Sequence, residues 1–166
     1  MAKKNASRLN DRLTATLLPF VEGDELELDE MWTFVISKIH DFWLWFAICK
    51  RTRQVVAYHI GKRGNIDCLE FWCKIPIEYK KSTTYSDYWD PYTSIIKPRT
   101  GKHFSVGKET GLTNHVERFN NTIRQRLGRL TRKTLSFSKS DEMLEINVRL
   151  FIHNYNKEKA IKYMAS

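Results

Sequence analysis

Leucines and acids alternate along DELELDEMWTFVISK (Asp24–Lys38): Leu26 and Leu28 fall on one side, Glu27, Asp29 and Met31 on the other. That period of two predicts a strand. DFWLWFAICK (Asp41–Lys50) and QVVAYHIGKR (Gln54–Arg63) continue as strands separated by the turn Arg51-Thr52-Arg53, which makes an antiparallel meander. The period then changes. In GNIDCLEFWCKIPIEYK (Gly64–Lys80), Ile66, Leu69, Phe71, Trp72 and Ile75 carry helical spacing, with Asn65 as the expected N-cap and Pro76 near the end. KKSTTYSDYW (Lys80–Trp89) reads as a fourth strand before a turn around Pro91, and KHFSVGK (Lys102–Lys108) as a short fifth.

From Thr113 to Leu130 the pattern is helical, with Leu112, Val116, Phe119, Ile123 and Leu127 forming one apolar stripe. The loop KTLSFSKS (Lys133–Ser140) leads to a last helix, Glu142–Asn156, capped by Ser140 or Asp141 and carrying Leu144, Ile146, Val148, Leu150, Phe151 and Tyr155. Three strands followed by alternating strands and helices describe an α/β chain with a mixed sheet and flanking helices. This order fits the ribonuclease-H-like class, one candidate among several on topology alone.

Composition narrows the partners. A chain of 166 residues suits one domain, and 42% hydrophobic with 13% aromatic content excludes disorder. No apolar run reaches the ~18 residues of a membrane span; Phe42–Cys49 is a buried strand instead. The N-terminus MAKKNASRLNDRL has basic residues but no apolar core of signal-peptide length, so the cytoplasm is the expected location. Lys and Arg number 28 against 19 acids, a net charge of +9, which points to a polyanion such as nucleic acid. Ribosomal and membrane-surface proteins share that bias. Cys49, Cys68 and Cys73 form no Cys-x-x-Cys pair, so neither a disulfide framework nor a zinc site is expected; Cys68 and Cys73 read as core residues.

The acids are unevenly spread. Glu22, Asp24, Glu25, Glu27, Asp29 and Glu30 crowd together, and most read as a solvated strand edge. Asp29 differs, because Leu28, Met31, Trp32 and Phe34 surround it and a buried charge needs a partner or a metal. Asp87 ends the fourth strand, where side chains emerge at a carboxyl edge; turn formation, which also accounts for Asp90, is its alternative role. Glu117 is the single acid among seven Arg or Lys between Thr110 and Ser140. Asn114 and Glu117 have the spacing of a capping box. On a wheel of about 100° per residue, however, Asn114, Asn121 and Arg124 share the face of Glu117, away from Val116, Phe119, Ile123 and Leu127. Three carboxylates without Cys or His suit Mg²⁺ or Mn²⁺. Two such ions about 4 Å apart serve in-line phosphoryl displacement.

LDEMW (Leu28–Trp32), SDYWDPY (Ser86–Tyr92) and HVERFNNTIRQRLGRLTRKTLSFSKS (His115–Ser140) resemble the catalytic region of the IS-one family of insertion-sequence transposases, over roughly residues 25–157. The resemblance implies a ribonuclease-H-like DDE catalytic domain over 23–158, between a lead-in (1–22) and a tail (159–166). It implies metal-dependent strand cleavage and transfer at inverted-repeat ends, with Asp29, Asp87 and Glu117 as catalytic metal ligands and two Mg²⁺ or Mn²⁺ ions per site. Water and then a freed DNA 3′-hydroxyl would be the successive nucleophiles. Arg124 takes the place of the family's basic residue near the cut, and Asn120 that of its Asn three residues after the acid. Arg118, Asn121, Arg126, Arg129, Arg132, Lys133 and Lys139 join them as DNA-binding residues. Terminal repeats and target DNA are the expected partners, the chain acting as a dimer or larger multimer, cytoplasmic and nucleoid-associated when bound to DNA.

Two features depart from the family pattern. The 29 residues between Asp87 and Glu117 are a few more than usual, read as a longer loop around Lys97–Glu109. The family's upstream zinc-binding and helix-turn-helix part has no counterpart here, as expected of a downstream reading frame or a truncated copy. A ribonuclease-H-like nuclease or resolvase, or an inactive DNA-binding remnant, are the alternative functions. Trp89 reads as packing rather than base stacking, and His115 as a surface or DNA-proximal residue rather than a metal or proton carrier. His40, His59, His103 and His153 share no spacing and receive no role. Ser136 and Ser138, with Lys139, read as phosphate contacts rather than nucleophiles.

Overall fold

A computed structural model describes residues 13–35, 37–130 and 140–166. Strand β1 (Glu25–Val35) lies at the centre of a five-stranded sheet of order β3-β2-β1-β4-β5. It runs antiparallel to β2 (Ser37–Cys49), which pairs antiparallel with β3 (Val55–Gly61). On its other side β1 is parallel to β4 (Thr83–Ser86), and β4 is parallel to β5 (His103–Ser105). The meander followed by parallel strands gives the mixed α/β, ribonuclease-H-like architecture that the sequence predicts.

Each sheet face has its own core. Leu26, Leu28, Trp45, Ala47 and Cys49 pack against Cys68, Phe71, Trp72 and Ile75, three of which lie on helix α1 (Asn65–Lys74), and against Tyr92 and Ile96. On the opposite face Met31, Val35, Leu44, Phe46, Ile48 and Val55 meet helix α3 (Asn114–Arg126) through Val116, Phe119 and Ile123. Helix α4 (Asp141–Met164) adds Leu144, Val148, Ile152 and Tyr155 to that core. The run WLWFAIC is apolar throughout because β2 is buried on both sides, sending Trp45, Ala47 and Cys49 one way and Leu44, Phe46 and Ile48 the other. Phe119 seats α3 by edge contacts at 4.9 Å to both Phe46 and Tyr155. Full burial of such a ring contributes about 2–3 kcal/mol.

Several boundaries differ from the sequence reading. Gly64, not Asn65, is the N-cap of α1, with no side-chain cap bond. Its buried stripe is Cys68, Phe71, Trp72 and Ile75, spaced i, i+3, i+4, i+7, so Ile66 is left 75% exposed and Cys73 is exposed rather than in the core. The segment Lys97–Glu109 is not one loop. It contains α2 (Lys97–Thr100), entered from a π-helical turn at Tyr92–Ile96, and then β5. Helix α4 runs to Met164, with Ser140 Oγ accepting from the Met143 N–H at 3.2 Å; Leu150 faces outward. Among residues 13–22, read as a lead-in, Leu13, Leu17 and Phe20 pack against the two cores. No helix among the described residues is long and apolar enough to cross a membrane.

One buried amide ties α4 to the sheet. Asn156 accepts from the Val55 N–H at 2.8 Å and donates to the Val55 carbonyl at 2.9 Å and to Thr16 Oγ1 at 3.0 Å. Without it the buried Val55 N–H and carbonyl would lose these partners, while Thr16 would keep its bond to the Leu13 carbonyl. Asn156→Ala should therefore lower unfolding free energy by about 2–4 kcal/mol in urea titrations with an unchanged slope. A loss below about 0.5 kcal/mol would show that these bonds are not limiting.

Candidate active site

The three acids singled out in the sequence come from three separate elements. Asp29 lies mid-strand in β1, opposite Phe46 of β2. Asp87 follows the last residue of β4, and its Oδ1 accepts from the Trp89 N–H at 3.0 Å, an Asx-type turn that fixes the side chain. Glu117 belongs to the first turn of α3. Together with Leu28, Val106, Lys108 and Thr113 they line one cavity of about 90 Å³. The Thr113 hydroxyl donates to Glu117 Oε1 at 3.2 Å, and Asn120 Nδ2 donates to Asp29 Oδ2 at 2.6 Å. Burial, reinforced by the nearby charges of Glu30, Asp87 and Glu117, pushes Asp29 up to about 7.

What holds Glu117 in place was not visible in the sequence. The capping box of Asn114 and Glu117 does not form: Thr113 is the N-cap, without a side-chain cap bond, and Asn114 is exposed. The cap comes from β1. Glu27, fully buried, accepts the His115 N–H at 2.7 Å and the Val116 N–H at 2.9 Å and also contacts His115 Nδ1. A carboxylate at a helix N-terminus satisfies orphan donors and complements the helix dipole. Burial still pushes Glu27 up to about 7, with the Val116 N–H opposing it. The available signal was its position two residues before Asp29, which places both on one face of β1.

The solvated-edge reading of the acidic cluster fails at Asp24, Glu27 and Glu30, all buried. Burial works against the Asp24 charge, yet Arg51, donating at 2.6 and 2.8 Å, holds its carboxyl below the usual value. Glu30, raised mainly by burial, accepts from Arg63 at 2.9 and 2.7 Å and from the Tyr92 hydroxyl at 2.7 Å. The Arg63 guanidinium lies 4.6 Å from the Trp43 ring and 4.5 Å from that of Trp89. Trp89 also packs on Trp45 at 5.2 Å and on Tyr92 at 5.6 Å, a packing role.

The residues grouped as DNA-binding divide by position. Arg118, Asn121 and Arg126 are exposed on α3, Arg124 is half-buried, and Arg126 pairs with Glu158 at 3.1 Å. Asn120 is buried instead and reaches Asp29. The side chain of Arg129, and Arg132, Lys133, Ser136, Ser138 and Lys139 altogether, lie outside the described residues. Lys108, which drew no attention in the sequence, lines the cavity.

A second cluster joins His59, Asp67 and Glu70, whose ligand atoms lie within 4.8 Å of one another. His59 Nε2 is 3.0 Å from Asp67 Oδ1, and its Nδ1 is 3.0 Å from Lys74 Nζ. An ammonium only donates, so Nδ1 accepts and Nε2 carries the proton given to Asp67. The buried imidazole is thereby satisfied by side chains alone.

The chain matches the family described as IS1 transposase over residues 25–158. It is 37% identical over 132 residues to the InsB protein of insertion element iso-IS1n from Shigella dysenteriae, covering 78% of this chain and 94% of that protein. The InsB protein of IS1 from Shigella flexneri is 37% identical over 117 residues, 70% of this chain and 85% of that protein. InsB of IS1 4 from Escherichia coli K12 is 35% identical over 117 residues, 70% of this chain and 66% of that protein.

The raised Asp29 makes a prediction about stability. Between the unfolded value of about 3.9 and the folded value of about 7, the folded state binds more protons, so stability falls as pH rises through that window. Asp29→Asn should melt above the parent at pH 8 in buffer free of divalent ions, with the gain shrinking towards about pH 4. A gain independent of pH would show that this carboxylate carries no excess charge strain.

Proposed function

The chain belongs to the IS1 transposase family, and from that premise we propose that this domain performs DNA strand cleavage and strand transfer at insertion-sequence ends. The carrying observation is the convergence of Asp29, Asp87 and Glu117 on one cavity in a chain of net charge +9. Such a surface attracts DNA, yet three carboxylates at its focus repel a phosphodiester unless something offsets them.

The donor set fits a hard divalent cation: it is all oxygen, and Asp29 already sits among like charges. Asp29, Asp87 and Glu117 would hold Mg²⁺ or Mn²⁺, as a pair of ions, which lowers the pKa of an attacking hydroxyl and offsets charge on the phosphate. Asn120 steadies the Asp29 carboxylate and Thr113 that of Glu117. Lys108 at the cavity gives a phosphate a cation close to the acids. Along α3, Arg118, Asn121, Arg124 and Arg126 would follow the DNA backbone by sequence-independent contacts. Arg126 gives up little in leaving Glu158, since exposed ion pairs contribute about 0–1 kcal/mol. Joining two ends requires at least two sites, so a dimer or larger assembly is the working form.

Glu117→Gln keeps the size of the side chain and removes one ligand charge. It should reduce Mg²⁺-dependent nicking of DNA by more than about 100-fold, beyond the ~10–100-fold cost of losing an outer-shell partner. Binding to the same DNA in EDTA should stay equal or become tighter, because a repelling charge is gone. Undiminished nicking by this variant removes the proposal. Strands joined into a target plasmid by the parent favour a transposase, and cleaved ends alone a nuclease or resolvase.

A further inference from the structure

An aromatic surface beside the catalytic cavity has no part in the chemistry above. Tyr85 of β4 lies two residues before Asp87 and pairs in register with Glu27 of β1 and Phe104 of β5. In-register neighbours share a face, so Tyr85 and Phe104 lie on the face that carries Glu27 and Asp29. The Tyr85 hydroxyl donates to Glu25 at 2.9 Å, which confirms that side. On the other face of the same strands Thr84, Ser86 and His103 are buried.

The two rings stack with centroids 6.0 Å apart and planes 30° apart, and Phe104 stays 53% exposed. Tyr85 is pinned from behind: Lys50 Nζ lies 5.6 Å from its ring centre and 2.8 Å from Glu25, which also holds the Tyr85 hydroxyl. The open end of the stack is therefore Phe104, backed by a fixed ring. Two residues along a strand and one strand across amount to roughly 7 Å and 5 Å, so the platform lies within about a nucleotide's reach of Asp87. Lys102, exposed two residues before Phe104, and Lys108 at the cavity flank it with positive charge.

Resting on the transposase reading, we propose that Phe104, stacked on Tyr85, is a binding subsite for an unpaired nucleobase of the DNA strand being cut. Every base has a π-face, so such a platform holds a frayed end without reading its sequence. The lysines bracket it as phosphate partners, which a docking site for an apolar protein segment does not need. Trp89, two residues after Asp87, is unsuited, because its ring is taken up by Arg63, Trp45 and Tyr92.

The test compares two probes in EDTA: a fully paired duplex, and the same duplex with mismatched terminal pairs and 2-aminopurine at the frayed end. The parent should bind the frayed duplex more tightly and quench its fluorescence. Phe104→Ala and Phe104→Leu should each weaken frayed-duplex binding about tenfold, within the range for losing one base–aromatic stack, and leave paired-duplex binding unchanged. Phe104→Trp should retain quenching. Phe104→Leu keeps apolar area without a π-face, so parental behaviour from it assigns the residue to packing and overturns the subsite. Unaltered DNA binding with a changed sedimentation coefficient in Phe104→Ala makes the face a self-association surface and also overturns it. A parent that discriminates neither probe removes the subsite alone; a parent that binds neither removes the transposase reading as well.

Discussion

The geometry of the site depends on one buried carboxylate meeting one helix end. Glu27 lies fully buried in the central strand and accepts the His115 and Val116 N–H groups at the start of α3. Separately, each half of this contact is a liability. A buried unpaired acid would neutralise or be expelled, and first-turn amides buried without acceptors would each cost about 1–3 kcal/mol. Together they fix where α3 begins above β1. Phe119 then holds the helix down between Phe46 and Tyr155. The apolar contact supplies adhesion and the ionic one supplies register, so that Glu117 and Asp29 reach the same cavity.

The other acids near β1 show what distinguishes a structural carboxylate from one available for chemistry. Asp24 is answered by the Arg51 guanidinium and Glu30 by that of Arg63. Asp29 receives a neutral amide from Asn120 and has Glu30, Asp87 and Glu117 as neighbouring charges. Such an arrangement destabilises the ion-free fold at neutral pH and favours whatever brings positive charge to it. Sites that carry this kind of strain trade stability for function.

The sequence carried the parts that obey local periods. Alternation in β1 and the stripe through Val116, Phe119 and Ile123 identified the strand and helix bearing Asp29 and Glu117, and a carboxyl-edge position marked Asp87. What it hid depends on contacts between distant segments. Glu27 and His115 are 88 positions apart, and the same helix start offers Asn114 and Glu117 as a plausible local cap. The local pattern loses because backbone carbonyls take its two amides, Asn114 N–H donating to Gly111 and Glu117 N–H to Thr113, while Glu27 takes the His115 and Val116 amides between them. Burial of Glu30 was equally illegible, since its Arg63 partner lies 33 positions away behind two tryptophans. Ile66 and Cys73 were misplaced for a smaller reason: at helical pitch, a shift of the core-facing stripe by one position exchanges which side chains are buried.

Helix α3 also shows how opposite charges coexist in a small site. Its apolar stripe and Asn120 face the sheet, where the amide meets Asp29, while Arg118, Asn121 and Arg126 look outward. Consecutive residues Asn120 and Asn121 thus serve different environments, because a helix turns by about 100° per residue. Had the arginines lain on the inner face, they would neutralise the carboxylates and leave nothing for a cation to do. Had the acids lain outside, they would repel the DNA backbone that the arginines are proposed to follow. Sorting the charges across one helix diameter, roughly 10 Å, keeps the outward arginines and the crowded carboxylates within about a Debye length of each other, the separation that the proposed holding and opening of a phosphodiester would require.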